Sequence, residues 1–172
     1  MNHPLLLAID PGASGGLAFQ HEDGAVDCVP MPETPGDILT CLRVEKPGTA
    51  YIEALVKHMG AGVPASTMAV YASNHGFLVG ALMALRWRVV VVTPQLWQRS
   101  LGLGITGRLK ASPGATAEER KAVARQNQEL KRAWKAKLRS EAQRLFPQCD
   151  ATLKTADALL ILEHARRQPV NT

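Results

Sequence analysis

The order of local signals predicts an α/β protein, with a five-stranded mixed sheet flanked by helices in a single domain spanning residues 1–172. Three observations carry this. Short apolar runs separated by tight-turn residues fill the first thirty positions, two later strand-like runs are set apart by helical periodicity, and long helical patterns occupy the C-terminal third. The chain has 172 residues, 46% hydrophobic and 20% charged. That suffices for one buried core and is too apolar for a disordered chain.

Leu5-Leu6-Leu7-Ala8-Ile9 reads as a buried strand stopped by Pro11-Gly12. Gly15 to Gln20 resumes extended structure, and Asp23-Gly24 is a hairpin signal ahead of a third strand, Ala25 to Pro30. After Pro32 to Pro35, Asp37 to Leu42 reads as a helix turning back, and Thr49 to Glu53 as a fourth strand. His58 to Thr67, rich in small residues, reads as a loop, and Asn74 to Leu85 as a helix with Phe77, Leu78, Ala81, Leu82 and Leu85 at helical spacing. Arg88 to Thr93 is a fifth strand whose four valines predict burial on both faces.

Pro94 opens a short helix. Leu101 to Ala115 is a glycine-rich basic loop. Thr116-Ala117-Glu118-Glu119 caps a long helix reaching about Phe146, with Val123, Leu130, Trp134, Leu138 and Leu145 as its apolar stripe. Pro147 stops it, and a last helix covers roughly Lys154 to Arg166. The sequence β-β-β-α-β-α-β-α is the element order of an RNase H-like fold.

The formal net charge of +5 is unevenly spread. Residues 99–144 hold 12 Lys and Arg against 4 acidic residues, whereas the rest of the chain has 8 against 11. Concentrated basic charge fits a polyanion-binding surface, although a solvated helix face accounts for it as well. No apolar run is long enough for a membrane span, and Pro4 to Ile9 passes into Asp10-Pro11-Gly12 with no basic leader before it, so no targeting segment is expected. Cys28, Cys41 and Cys149 are odd in number and lack paired spacing, against a disulfide framework or zinc cluster. A reducing, cytoplasmic setting is expected.

Three acids stand where chemistry would use them. Asp10 ends an apolar strand before Pro-Gly, Glu53 ends another after Ile52, and Asp157 opens an apolar-faced helix. If the two strands are neighbours and the helix crosses them, the carboxylates converge. Converging carboxylates raise one another's pKa unless a cation neutralises them. Oxygen ligands without His or Cys select Mg²⁺ or Mn²⁺, and two such ions about 4 Å apart would activate water and stabilise the leaving oxygen of a phosphodiester. Each acid has an ordinary alternative: a turn former at Asp10, a solvent-facing strand end at Glu53, and an answer to the helix dipole at Asp157. The Asp10-Pro11-Gly12 loop with Ser14-Gly15-Gly16 could also cradle a nucleotide phosphate as in actin-like ATPases, but that architecture needs two such domains.

The stretch Leu7-Ala8-Ile9-Asp10-Pro11-Gly12 with Ser14-Gly15-Gly16-Leu17-Ala18, then Ala50-Tyr51-Ile52-Glu53, then Ala156-Asp157-Ala158-Leu159-Leu160, resembles RuvC-type Holliday-junction resolvases, nearest the phage and chloroplast branch. Val90 to Pro94, followed by Trp97 and basic glycine-rich sequence, is similar to that branch too. The resemblance runs in order from Leu5 to Glu163. It implies a dimeric, Mg²⁺-dependent endonuclease that nicks two symmetric strands of a four-way DNA junction, with Mn²⁺ as a substitute ion. Asp10, Glu53 and Asp157 match the family's metal-binding acids. Many relatives carry an acid or histidine where this chain has Lys154; an ammonium cannot ligate Mg²⁺ but could position the scissile phosphate or steady the attacking water. Asp150 is the nearest spare carboxylate. The resemblance is compatible with a phage- or prophage-encoded protein.

For DNA contacts, Arg108 and Lys110 on the glycine-rich loop are preferred, because glycine lets backbone approach phosphate closely. Lys131, Arg132, Lys135 and Arg139 form a basic helix face that a plain solvated face explains nearly as well. Trp134, on the apolar stripe, reads as core. Tyr71 and His75 follow the loop after Glu53, where a junction enzyme would place residues that probe the crossover; Phe77 fits a helix core equally, and His58 and His75 could assist proton transfer. Small residues Gly76, Gly80, Ala81 and Ala84 suit close helix packing inside the domain or across a two-fold axis. An RNase H, another branched-DNA nuclease, and a non-catalytic nucleic-acid-binding protein are the alternative functions.

Overall fold

Strand β1 (Leu6–Asp10) occupies the centre of a five-stranded sheet of order β3-β2-β1-β4-β5. The computed structural model describes residues 5–55, 64–104 and 107–169. Residues 6–9 are buried, as an apolar strand covered on both faces should be. β2 (Gly16–Gln20) and β3 (Val26–Pro30) continue from β1 as an antiparallel meander. Its second turn holds Gly24 at φ 87°, and the Asp23 carboxylate accepts from the Ala25 N–H at 2.8 Å. On the other side β4 (Thr49–Glu53) and β5 (Arg88–Val92) run parallel to β1, so the sheet is mixed as the element order predicts.

Helices cover both faces. α1 (Pro35–Leu42) and α2 (Ala65–Ala84) lie over one, where Ile38, Leu42, Leu78 and Leu82 pack on Leu7, Ile9, Leu17 and Ile52. α3 (Pro94–Ser100), α4 (Ala117–Leu145) and α5 (Ala156–Arg166) lie over the other, where Trp97, Leu138, Ala142 and Phe146 join Leu6, Ala8 and Ala18. α5 is buried at nearly every position, including Asp157 and His164, because it is enclosed between the sheet and α4. Seven of its eleven residues are Ala, Leu or Ile, the wide apolar surface that such a position requires.

Four expectations change. α2 begins at Ala65, not Asn74: Ala65, Ser66 and Thr67, at the end of the expected loop, form its first turn after Pro64 as N-cap. His58 and the rest of 56–63 lie outside the described residues. β5 is an edge strand, with Val91 55% exposed, so its valines are not covered on both faces. In α4, Leu138 is buried but Leu130 is 41% exposed. Only the C-terminal half of that helix rests on α5, and Ala117 to Ala133 contains no fully buried residue. α5 itself starts at Ala156, after a Thr152–Thr155 turn in which each threonine hydroxyl accepts from the other's backbone N–H, at 3.2 and 3.0 Å. Among the described residues no helix is long and apolar enough to cross a membrane.

Candidate active site

Parallel pairing of β1 with β4 sets the geometry. Ile9 stands opposite Ile52, so the following residues, Asp10 and Glu53, end their strands at one edge of the sheet. Gly16, opposite Asp10 in the ladder, admits the start of α5: an added Cβ would lie 2.8 Å from the Val29 carbonyl and 2.9 Å from that of Lys154. This close approach brings Asp157, in the first turn of α5, over the same edge. Gly15 folds the intervening loop back onto Asp10; a Cβ there would collide with the Asp10 carbonyl and lie 2.7 Å from its carboxyl carbon. The Gly12 N–H also points to Asp10 Oδ1, at 3.4 Å.

The three acids share one electrostatic field. Burial, then the charge of Asp157, raise Asp10 from 3.8 to about 6, against the opposing Lys135 ammonium and the Gly12 N–H. Burial also raises Glu53 from 4.5 to about 7, helped by Asp10 and Asp157. Opposing that rise, the Trp97 indole N–H donates to Glu53 Oε2 at 2.9 Å. Trp97 is fully buried, so this donor is fixed in place. The Lys135 ammonium donates to Asp157 Oδ2 at 2.5 Å, while Asp157 Oδ1 is buried with no hydrogen-bond partner among the described residues. Burial pulls the Lys135 pKa down, but Asp157, then Asp10 and Glu53, hold it above its ordinary value.

The N-terminal half of α2 closes another side of the cluster. The Tyr71 hydroxyl is raised to about 12, by burial first and then by the charges of Glu53 and Asp10. His75 Nε2 lies 3.1 Å from the Glu53 carbonyl oxygen. Phe77 is half-buried in the core under α2.

The remaining candidates lie farther out. Lys154 is exposed in the turn before α5; among the described residues, the cation whose field reaches Asp10 and Glu53 is Lys135. Asp150 is exposed, and its charge is felt at Cys28. Arg108 and Lys110 are exposed on either side of Leu109, whose N–H and carbonyl are both bonded by the Asn127 side chain, at 2.8 and 3.0 Å. Lys131, Lys135, Arg139, Gln143 and Arg144 line a groove of about 800 Å³ along α4, closed on one side by exposed Leu153. Within it the Arg139 Nε–H donates to the Ala151 carbonyl at 2.8 Å, tying α4 to the turn before α5. Trp134 packs half-buried in the core beneath α5, with Lys137 over its ring at 5.2 Å.

Sequence reasoning missed the acid-site role of Lys135, the Trp97 donor and the Asn127 clamp. Lys135 and Asp157 are 22 residues apart and Trp97 and Glu53 are 44 apart, separations that carry no local pattern.

Whether these residues suit a divalent cation follows from the donor set. Among the described residues no three His, Cys, Asp or Glu side chains are drawn together into a ready metal cage. Yet the donors are carboxylate oxygens only, two of the acids are held reluctant to ionise, and Asp157 Oδ1 is buried and unpartnered. A hard divalent cation answers all three features. No family model matches the chain, and no curated protein is significantly similar to it.

Proposed function

We propose that this chain is a Mg²⁺-dependent endonuclease of RNase H-like architecture that cuts four-way DNA junctions, with Mn²⁺ able to replace Mg²⁺. The observation that carries this reading is the convergence of Asp10, Glu53 and Asp157 on one sheet edge, with the orphaned Asp157 Oδ1 among them. Asp10, Glu53 and Asp157 are the residues that would hold the cation. Once bound, it supplies charge neutralisation at the phosphodiester and an activated water.

The protein's own groups do the rest. Trp97 keeps Glu53 Oε2 oriented, and Gly12 does the same for Asp10 Oδ1. Lys131 and Arg139 in the groove, with Arg108 and Lys110 on the clamped loop, face the phosphate backbone. Lys154, exposed in the turn before Asp157, is assigned to the scissile phosphate. Tyr71 and His75 on α2 lie beside Glu53, where they would meet the junction crossover.

A second copy of the chain is the partner assigned to α2, which contains no Asp, Glu, Lys or Arg and leaves Val70 and Met83 61% and 66% exposed. Such an enzyme works on DNA in a cytoplasmic compartment.

A non-catalytic nucleic-acid-binding protein of the same architecture is the second reading. It is favoured by the Lys135–Asp157 ion pair, which neutralises one acid without a metal. Incubation with Mg²⁺ and labelled four-way junction, linear duplex and RNA–DNA hybrid separates these functions. The expected result is cutting of the junction alone, abolished in Asp10→Asn with junction binding retained. Cutting of the hybrid instead would identify an RNase H. Tight junction binding with no cutting of any substrate would favour the binding protein.

A further inference from the structure

The acidic centre already contains a cation. Lys135 reaches from α4 to Asp157 Oδ2, and its charge is felt at both Asp10 and Glu53. Among the described residues, Lys135 is the cation whose charge acts on both Asp10 and Glu53. It therefore stands where three carboxylates need a counter-charge, and where a divalent cation would have to come.

The two partners differ in how firmly they are held. The Asp157 side chain is 10% exposed and its backbone is locked into buried α5, whereas the Lys135 side chain is 35% exposed and opens onto the basic groove. A lysine stem of this length can withdraw into water without disturbing the helix that carries it. Asp157 cannot follow, and withdrawal leaves both of its oxygens available on one side of the cluster.

We propose that Lys135 is the resident counter-ion of this centre: bonded to Asp157, it offsets the charge of the three acids in the metal-free protein, and a divalent cation binds only by displacing its ammonium from Asp157. This rests on the metal-dependent reading of the acids given above. The two positive charges compete for the same carboxylates, so each weakens the binding of the other.

Calorimetric titration of Mn²⁺ into the wild-type protein and into Lys135→Met tests it, since methionine keeps the apolar stem and removes the charge. The variant should bind Mn²⁺ at least ~10-fold more tightly. It should also melt at a lower temperature than wild type in chelator and gain more from saturating Mn²⁺. Equal or weaker binding by the variant, with wild type still binding, overturns the displacement and leaves the metal reading of the acids standing. Failure of both proteins to bind Mn²⁺ defeats the metal reading and this proposal together.

A second measurement uses wild-type protein alone. Lysine acetylation by a soluble N-hydroxysuccinimide ester, read by mass spectrometry, should spare Lys135 in chelator and modify it several-fold faster in saturating Mg²⁺. Exposed Lys131 serves as the internal reference. A Lys135 rate that Mg²⁺ leaves unchanged, while Mn²⁺ binding is measurable, overturns displacement.

Discussion

Glu53→Gln should make the metal-free protein more stable at neutral pH while removing the junction cutting proposed above. The Glu53 carboxyl has an ordinary pKa of 4.5 and titrates at about 7 in the folded chain. Its folded value is the higher one, so its contribution to stability is complete below pH 4.5 and is lost as pH rises through about 7. At about 1.4 kcal/mol per pH unit, that interval is worth about 3 kcal/mol. Glutamine keeps a carbonyl oxygen for the Trp97 indole N–H, which now donates to Glu53 Oε2 at 2.9 Å, so the substitution removes the charge and retains the hydrogen bond. Urea unfolding in chelator, repeated between pH 4 and 8, reads the effect. The variant should match wild type near pH 4 and exceed it by about 3 kcal/mol at pH 8. It should keep a smaller decline at lower pH from Asp10, which is raised from 3.8 to about 6. A gain at pH 8 below about 1 kcal/mol, or a gain equal at both ends of the range, would refute the claim that Glu53 is ionised at a cost.

Two further substitutions probe the supports of the site. Gly15→Ala drives a methyl group into the Asp10 carbonyl, so the loop and the Asp10 carboxylate must shift; cutting should fall by about 100-fold or more while the fold persists, and cutting within a few-fold of wild type would show that Asp10 is not held from this side. Asn127→Ala strips both hydrogen bonds from the Leu109 backbone; exchange of the Leu109 amide should accelerate and junction binding weaken by about a few-fold, and protection of that amide equal to wild type would count against the clamp.

Much of the architecture was legible because its signals are local. Leu6 to Ile9 is a continuous apolar run, Asp23-Gly24 is a turn with only one economical conformation, and Thr116 with Glu119 forms the capping box that starts α4. The two strand-end acids were legible for the same reason, since an acid closing a buried strand stands out from its neighbours. The start of α2 is hidden in the sequence, because its first half has no charge pattern and no side-chain cap, leaving helix propensity as the only cue. A run of valines looks the same in a central strand and at an edge, so only its position beyond β4 makes β5 an edge strand.

Side-chain placement drew the same boundary. From the sequence alone came the α/β element order, the acids at the ends of two strands and the start of a helix, and the concentration of basic charge between residues 99 and 144. These depend on periodicity, turn chemistry and composition, which act over a few residues. Only tertiary structure decided that Lys135, outwardly one cation of a solvated helix face, belongs to the carboxylates, and that buried Trp97 donates to Glu53. Those contacts exist because α4 packs its C-terminal half on α5 and α3 packs beneath the sheet edge, and helix packing joins residues whose distance along the chain carries no signal.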